Sequence, residues 1–125
     1  MAVDRDGWTL LHYACCEDSR SPVIPLLLAH PGIDVNVKNS HGETPFYYAC
    51  AHGHTRCARE MLKDSRVIMN ETNDEGYTPL FWAAYYGRLD VIRWWIASGR
   101  EMDLGKPGDY YYTDAIGVAG REKRT

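Results

Sequence analysis

No stretch of this chain approaches the roughly 18 consecutive apolar residues of a membrane-spanning helix. The opening Met1-Ala2-Val3-Asp4-Arg5-Asp6 also lacks the apolar core of a secretory signal. The expectation is therefore a soluble protein of the cytoplasm or nucleus, with no membrane partner. Surplus positive charge is missing too. Lys and Arg number 14 against 17 Asp and Glu, for a formal net charge of −3 and a pI near 5.9, the opposite of what a phosphate backbone attracts. Nucleic acid is accordingly not an expected partner, and the densest basic run, Arg121-Glu122-Lys123-Arg124, reads as a solvated chain end.

Catalytic signatures are equally scarce. There is no nucleophile elbow, no phosphate-cradling loop and no pair of carboxylates at catalytic spacing. Gly105-Lys106-Pro107-Gly108 is too short for a phosphate loop and puts a proline where amides are needed. The expectation is no enzyme, no catalytic residue and no cofactor. The segment Cys50-x-His52-x-His54-x-x-Cys57 holds zinc-ligand residue types, but their places in the repeat described next point them in different directions, so no metal site is expected.

What the chain does have is a period. Gly76-Tyr77-Thr78-Pro79-Leu80-Phe81-Trp82-Ala83-Ala84 is preceded 34 residues earlier by Gly42-Glu43-Thr44-Pro45-Phe46-Tyr47-Tyr48-Ala49-Cys50, and 35 before that by Gly7-Trp8-Thr9-Leu10-Leu11-His12-Tyr13-Ala14-Cys15. Such self-similarity is the mark of a stacked repeat array. Cys15 and Cys50 share the position that Ala84 fills in the third copy, so the cysteines read as small buried thiols and not as disulfide partners. In each copy the glycine suits a tight turn, and the threonine is placed to cap a short helix.

Thr9-Leu10-Leu11-His12-Tyr13-Ala14, Thr44-Pro45-Phe46-Tyr47-Tyr48-Ala49 and Thr78-Pro79-Leu80-Phe81-Trp82-Ala83 resemble the Thr-Pro-Leu-His-x-Ala core of the ankyrin repeat. Gly53-His54 and Gly87-Arg88 sit where that family turns between its two helices. The resemblance implies an all-α solenoid of helix-turn-helix units with β-hairpin-like finger loops, in one domain spanning 1–125. Repeats are expected at about 4–38, 39–72 and 73–107, with a partial copy at 108–125 built on Tyr112-Thr113-Asp114-Ala115. It also implies a bond from His12 back to Thr9, which Tyr47 and Phe81 cannot repeat. First helices are expected from about Thr9 to Cys16 and at the equivalent places. Second helices are expected after a Ser21-Pro22 cap and ending at His30-Pro31-Gly32, at about Thr55 to Lys63, and at about Leu89 to Ala97 with Ser98-Gly99 closing.

Ten of the fifteen aromatic residues lie between Tyr77 and Tyr112. In the family that this chain resembles, residues flanking the turn glycine, and the two after the Ala-Ala of the first helix, face a common concave surface. Carried over, the turn positions are Arg5, Asp6 and Trp8, then Ser40, His41 and Glu43, then Asp74, Glu75 and Tyr77, then Asp109, Tyr110 and Tyr112. The helix positions are Cys16 and Glu17, Ala51 and His52, Tyr85 and Tyr86, Gly120 and Arg121. With neighbouring helices about 10 Å apart, Tyr77, Tyr85, Tyr86, Tyr110 and Tyr112 form one patch, with Trp8 on the same face. Tyr111 stands where the turn wants glycine. Trp94 aligns with Pro25 and Glu60 and is expected to be exposed on the convex side; Trp82, Trp95, Tyr13, Tyr47, Tyr48 and Phe81 are expected in the core.

Exposed tyrosine and tryptophan are the side chains of interface hot spots. The expected function is a non-catalytic module binding another protein through Trp8, Tyr77, Tyr85, Tyr86, Tyr110, Tyr111, Tyr112 and Trp94. The alternative is a second copy of the chain, paired through the same patch or its thinly capped C-terminal end. The tyrosine run also resembles an ankyrin scaffold engineered to bind a chosen partner or itself.

Overall fold

The computed structural model describes residues 6–101. Six α-helices follow one another: α1 Leu10–Ala14, α2 Val23–Leu28, α3 Pro45–His52, α4 Thr55–Leu62, α5 Pro79–Tyr85 and α6 Leu89–Ser98, with a single 3₁₀ turn at Asp18–Arg20. Each odd helix packs against the even helix after it. Helices α1, α3 and α5 stack into an inner row, and α2, α4 and α6 into an outer one.

The repeat threonines start the inner row. Thr44 Oγ1 accepts the Tyr47 amide and Thr78 Oγ1 the Phe81 amide, both at 3.1 Å. Pro45 and Pro79 stand inside the first turn, where no backbone donor is lost. At the end of α3, Gly53 takes the left-handed conformation, φ 72°, which only glycine enters without strain.

His12 does bond back to Thr9. Its Nδ1 accepts the Thr9 amide at 3.2 Å, and its Nε2–H then donates to the Glu43 carbonyl of the next repeat at 2.8 Å. The acceptor role of one nitrogen makes the other the donor.

Several expectations are corrected. Helix α1 stops at Ala14, not Cys16, because the Cys15 amide already forks between the Leu11 and His12 carbonyls as the last turn tightens. Ser21 is not the cap of α2. Ser21, φ −54° and ψ −34°, and Pro22, φ −63° and ψ −20°, are both right-handed helical, so the chain runs from the 3₁₀ turn into α2 without the extended residue that a side-chain cap needs. Pro22 takes that place without a side-chain bond, and α2 closes at Ala29 rather than at His30-Pro31-Gly32.

Among the described residues no strand forms, so the expected hairpin-like fingers are turns. Those of the second and third repeats are each tied by an asparagine: Asn39 Oδ1 accepts the His41 and Glu43 amides, and Asn73 Oδ1 accepts those of Glu75 and Tyr77, at 2.9–3.0 Å. A single backbone bond links each finger to the next, Ser40 N–H to Asp6 O and Asp74 N–H to His41 O.

Two further ties hold the outer row. Asp18 Oδ1 accepts the Arg56 and Cys57 amides at 3.0 and 3.3 Å, so α4 is capped by a carboxylate from the repeat before it, favoured by the helix dipole. Arg66 donates to the Leu28 carbonyl, and Arg100 to the Leu62, Asp64 and Val67 carbonyls, satisfying otherwise orphaned acceptors after α2 and α4.

The core runs along the stack between the rows, through Leu11, Ile24, Phe46, Met61, Leu80, Val91 and Trp95. Phe46 meets Trp95 edge-on at 5.2 Å. It is open at the first repeat. Leu27 is only half-buried, whereas Met61 and Trp95, the same position in the next two repeats, are 0% exposed. In the later repeats this site is covered by the preceding outer helix. Leu26, 74% exposed, faces outward as Trp94 does.

Candidate functional site

Tyr85 and Tyr86 close α5, one as its last residue and one as its C-cap, and both are about half exposed. They belong to an aromatic cluster held from below. Tyr77 stacks on Phe81 at 4.5 Å and meets Trp82 edge-on at 5.2 Å. Trp82 stacks on Tyr86 at 5.5 Å, and Tyr85 meets Tyr86 at 5.1 Å. Tyr77 is half-buried as a result. Trp82, expected in the core, is also half-buried, because the rings of Tyr77, Phe81, Tyr85 and Tyr86 pack around its indole on the inner surface.

The remaining candidates lie apart. Trp8, expected on the exposed face, is half-buried against His12, Tyr13 and Tyr48, with ring centroids 4.9–5.6 Å apart. Tyr13 and Tyr48, expected inside, are exposed and half-buried respectively, because this is the same inner-helix position as Trp82. Tyr47, Phe81 and Trp95 are buried as expected. Trp94 is exposed on outer helix α6, under the Arg59 guanidinium at 5.0 Å, beside a groove of about 410 Å³ lined by Leu62, Ala97 and Arg100. Tyr110, Tyr111 and Tyr112, the partial repeat and the positions Arg5, Asp109, Gly120 and Arg121 fall outside the described residues.

Beside Tyr86 lies a cleft of about 440 Å³ that joins the second and third repeats. Trp82 and Tyr86 form one wall, Glu43 and Glu75 stand on the finger side, and Tyr47, Ala51, His52 and Arg88 line the rest. Arg88 spans the repeats, donating from Nε to the Ala51 carbonyl at 3.2 Å and lying 5.4 Å from the Tyr86 ring centre. Ala51, expected on the open face, is buried beside this contact.

The Tyr47 hydroxyl is buried and receives no hydrogen bond of ordinary length. Burial pushes its phenol up, the Glu43 carboxylate adds to the rise and the Trp82 indole opposes it, with a further push from Glu75. His52 moves the other way: partial burial lowers its imidazole, His54 and Arg88 lower it further, and Glu43 works against them.

The cysteine and histidine pairs do not converge. Cys50 is buried in the core and Cys57 Sγ bonds the Ala14 and Glu17 carbonyls, while His52 and His54 stack 6.2 Å apart. Burial, and then Asp18, push the Cys57 thiol up to about 12. Among the described residues no three His, Cys, Asp or Glu gather around a point that could hold a metal ion.

Sequence reading missed the Asn39 and Asn73 turn ties, the Asp18 cap and the Arg66 and Arg100 bridges. Asn39 and Asn73, like Arg66 and Arg100, recur at the 34-residue period, so their spacing was a usable signal. Asp18 carried none, because its partner amides are 38 and 39 residues away.

With this geometry in view, the comparisons with known proteins agree. The sequence model for ankyrin repeats, three copies, matches residues 21–105, and the chain belongs to the ankyrin repeat family. It is similar to the SMC5-SMC6 complex localization factor protein 1 of Homo sapiens, 47% identical over 57 residues, which is 46% of this chain and 5% of that protein. It is also similar to mouse Rabankyrin-5, 36% identical over 62 residues, 50% of this chain and 5% of that one. A third relative is the ADP-ribosylation factor GTPase-activating protein AGD2 of Arabidopsis thaliana, 37% identical over 57 residues, 46% of this chain and 7% of that protein. The chain thus spans only a small part of each. Ankyrin repeats are in general non-catalytic units of protein–protein interaction. No helix among the described residues is long and apolar enough to cross a membrane.

Proposed function

We propose that this chain is a single non-catalytic binding domain, with repeats at about 4–38, 39–72 and 73–107 and a partial one at 108–125. It engages a partner protein through the inner surface of the third repeat, at Tyr77, Tyr85 and Tyr86, extended by Tyr110, Tyr111 and Tyr112 of the last finger. Trp8, packed in the first repeat, and Trp94, on outer helix α6, lie apart from this surface. The observation that carries the reading is the pair Tyr85 and Tyr86, half exposed yet braced by Trp82 and by each other. Rings already held in place lose little freedom when a partner covers them, which is what makes such residues hot spots. Buried, unpaired thiols at Cys15, Cys50 and Cys57 support a reducing setting, the cytoplasm or nucleus.

The test is selection of binders to the folded chain from an unbiased display library. Tyr85→Ala and Tyr86→Ala should each weaken a selected binder by on the order of 2 kcal/mol, about thirty-fold in Kd, with the melting temperature unchanged. If no selected binder responds to either variant, the surface is assigned wrongly. A second copy of the chain as partner predicts a dimer in light scattering that the same variants dissociate.

A further inference from the structure

The inner surface carries more than aromatic area. In the cleft beside Tyr86 an unmet hydrogen-bonding demand and a one-sided charge distribution coincide. Tyr47, 1% exposed, lines the cleft, and its buried hydroxyl makes no hydrogen bond of ordinary length, the Trp82 indole acting on it from further off. Buried polar groups are nearly always satisfied, so one left open at the wall of a cavity marks a place for a ligand group. Glu43 and Glu75 border the same cleft, and both carboxylates act on that phenol. Glu43 is positioned before any ligand arrives, because Asn39 Nδ2 donates to its Oε1 at 3.0 Å.

Of the cationic groups in the cleft, Arg88 is already engaged with the Ala51 carbonyl and the Tyr86 ring. His52 has its imidazole lowered from the usual value by partial burial, which favours the neutral form. The fingers add Asp6 and Asp74, both exposed. Arg56, Arg59, Lys63 and Arg93 lie instead on the outer helices α4 and α6. The cleft is acidic on its finger side, whereas the outer row is mixed, with Glu60 pairing Arg59 and Lys63 and Asp90 pairing Arg93. Complementarity of charge selects the partner.

Resting on the interaction surface assigned above, we propose that this cleft holds a lysine side chain from a basic, extended segment of the partner protein. The ammonium is drawn to Glu43, Glu75 and the Tyr47 hydroxyl, and the aliphatic stem lies against Trp82 and Tyr86. Aromatic faces attract a cation and also shelter its stem. A lysine brings three donors on one compact charge, enough for two carboxylates and one phenol.

The probes are two 11-residue peptides of glycine and serine, one carrying three lysines and the other three glutamines, titrated into the isotopically labelled 125-residue chain. Nuclear magnetic resonance follows the Trp82 indole and the Ala51 and Glu75 amides. The lysine peptide should bind at least tenfold tighter and shift those signals. Glu43→Gln together with Glu75→Gln should cost it tenfold or more; the first of these changes keeps the acceptor oxygen that Asn39 uses. Tyr47→Phe should weaken the lysine peptide about threefold, leave the glutamine peptide unchanged and not lower the melting temperature. Asp90→Asn on α6 should change nothing.

Equal affinities for the two peptides, signals that move at the Trp94 groove instead, or unchanged binding by the double variant would each overturn the proposal. So would tighter binding by the corresponding arginine peptide. Library binders that depend on Tyr85 or Tyr86 but do not compete with the lysine peptide would leave the interaction surface standing and remove only the lysine site. If no binder depends on either tyrosine, the surface itself fails.

Discussion

His12 and Tyr47 occupy the same position in consecutive repeats, and replacing each by phenylalanine should change stability in opposite directions. The third repeat already has Phe81 there, 6% exposed, so the ring fits the site and the comparison isolates hydrogen bonding. In His12→Phe the bonds to two backbone groups disappear, from Thr9 N–H to Nδ1 at 3.2 Å and from Nε2–H to Glu43 O at 2.8 Å, together with the Thr9 hydroxyl contact to Nδ1 at 3.0 Å. Stranding both backbone groups costs about 3 kcal/mol, and the more apolar ring returns about 1 kcal/mol. The net loss is about 2 kcal/mol, on the order of 10 °C for a domain of this size. Tyr47→Phe removes a buried hydroxyl that makes no hydrogen bond of ordinary length and should raise stability by about 1 kcal/mol. Urea unfolding followed by circular dichroism, with slopes compared to ensure that only the midpoint moved, measures both. If the two variants shift the midpoint in the same direction, or His12→Phe costs under about 0.5 kcal/mol, the bookkeeping of these bonds is wrong.

Leu26 and Met61 make a second comparison. Leu26→Ala, at an outward position 74% exposed, should fall within about 0.5 kcal/mol of the parent, and Met61→Ala, at 0% exposed, should cost about 3 kcal/mol; similar losses in denaturant melts would contradict the outward placing of Leu26. Cys15, Cys50 and Cys57 are buried and Cys16 is partly exposed, so a disulfide exchange reagent should label about one thiol in the native chain and all four of its cysteines only after denaturation. Fast native labelling of more than one would refute the packing of the inner row. Because the folded His52 has a lowered pKa, the unfolded chain binds the more protons as pH falls through and below about 6.5. Its contribution to stability is therefore present above that pH and declines on acidification, and His52→Gln should flatten the decline in melts between pH 7.5 and 5. An unchanged pH profile would remove His52 as the cause.

Much of the candidate site could be read from the chain because it obeys the repeat. Tyr85 and Tyr86 follow the Ala83-Ala84 pair, and their exposure follows from that register. The same register mispredicted Trp8 and Trp82. Register gives a direction for a side chain, whereas burial depends on what else arrives there. Trp8 is covered by Tyr13 and Tyr48, and Trp82 lies beneath Tyr85 and Tyr86. The cleft at Tyr47 was not legible at all. Its walls come from residues spread between Glu43 and Arg88, and its character depends on a hydrogen bond that is not made.

The amino-acid order alone determined the period, the threonine that opens each inner helix and the alternation that sends Leu11, Phe46 and Leu80 inward. These are relations within one turn or one repeat, and local backbone chemistry decides them. Only the assembled stack determined that Asp18 caps α4, that Arg66 and Arg100 close the outer helices behind them, and that Leu27 is half-buried where Met61 and Trp95 are sealed. Each of those outcomes belongs to a neighbour about one repeat away, and a residue's own sequence context does not say whether that neighbour will be within reach.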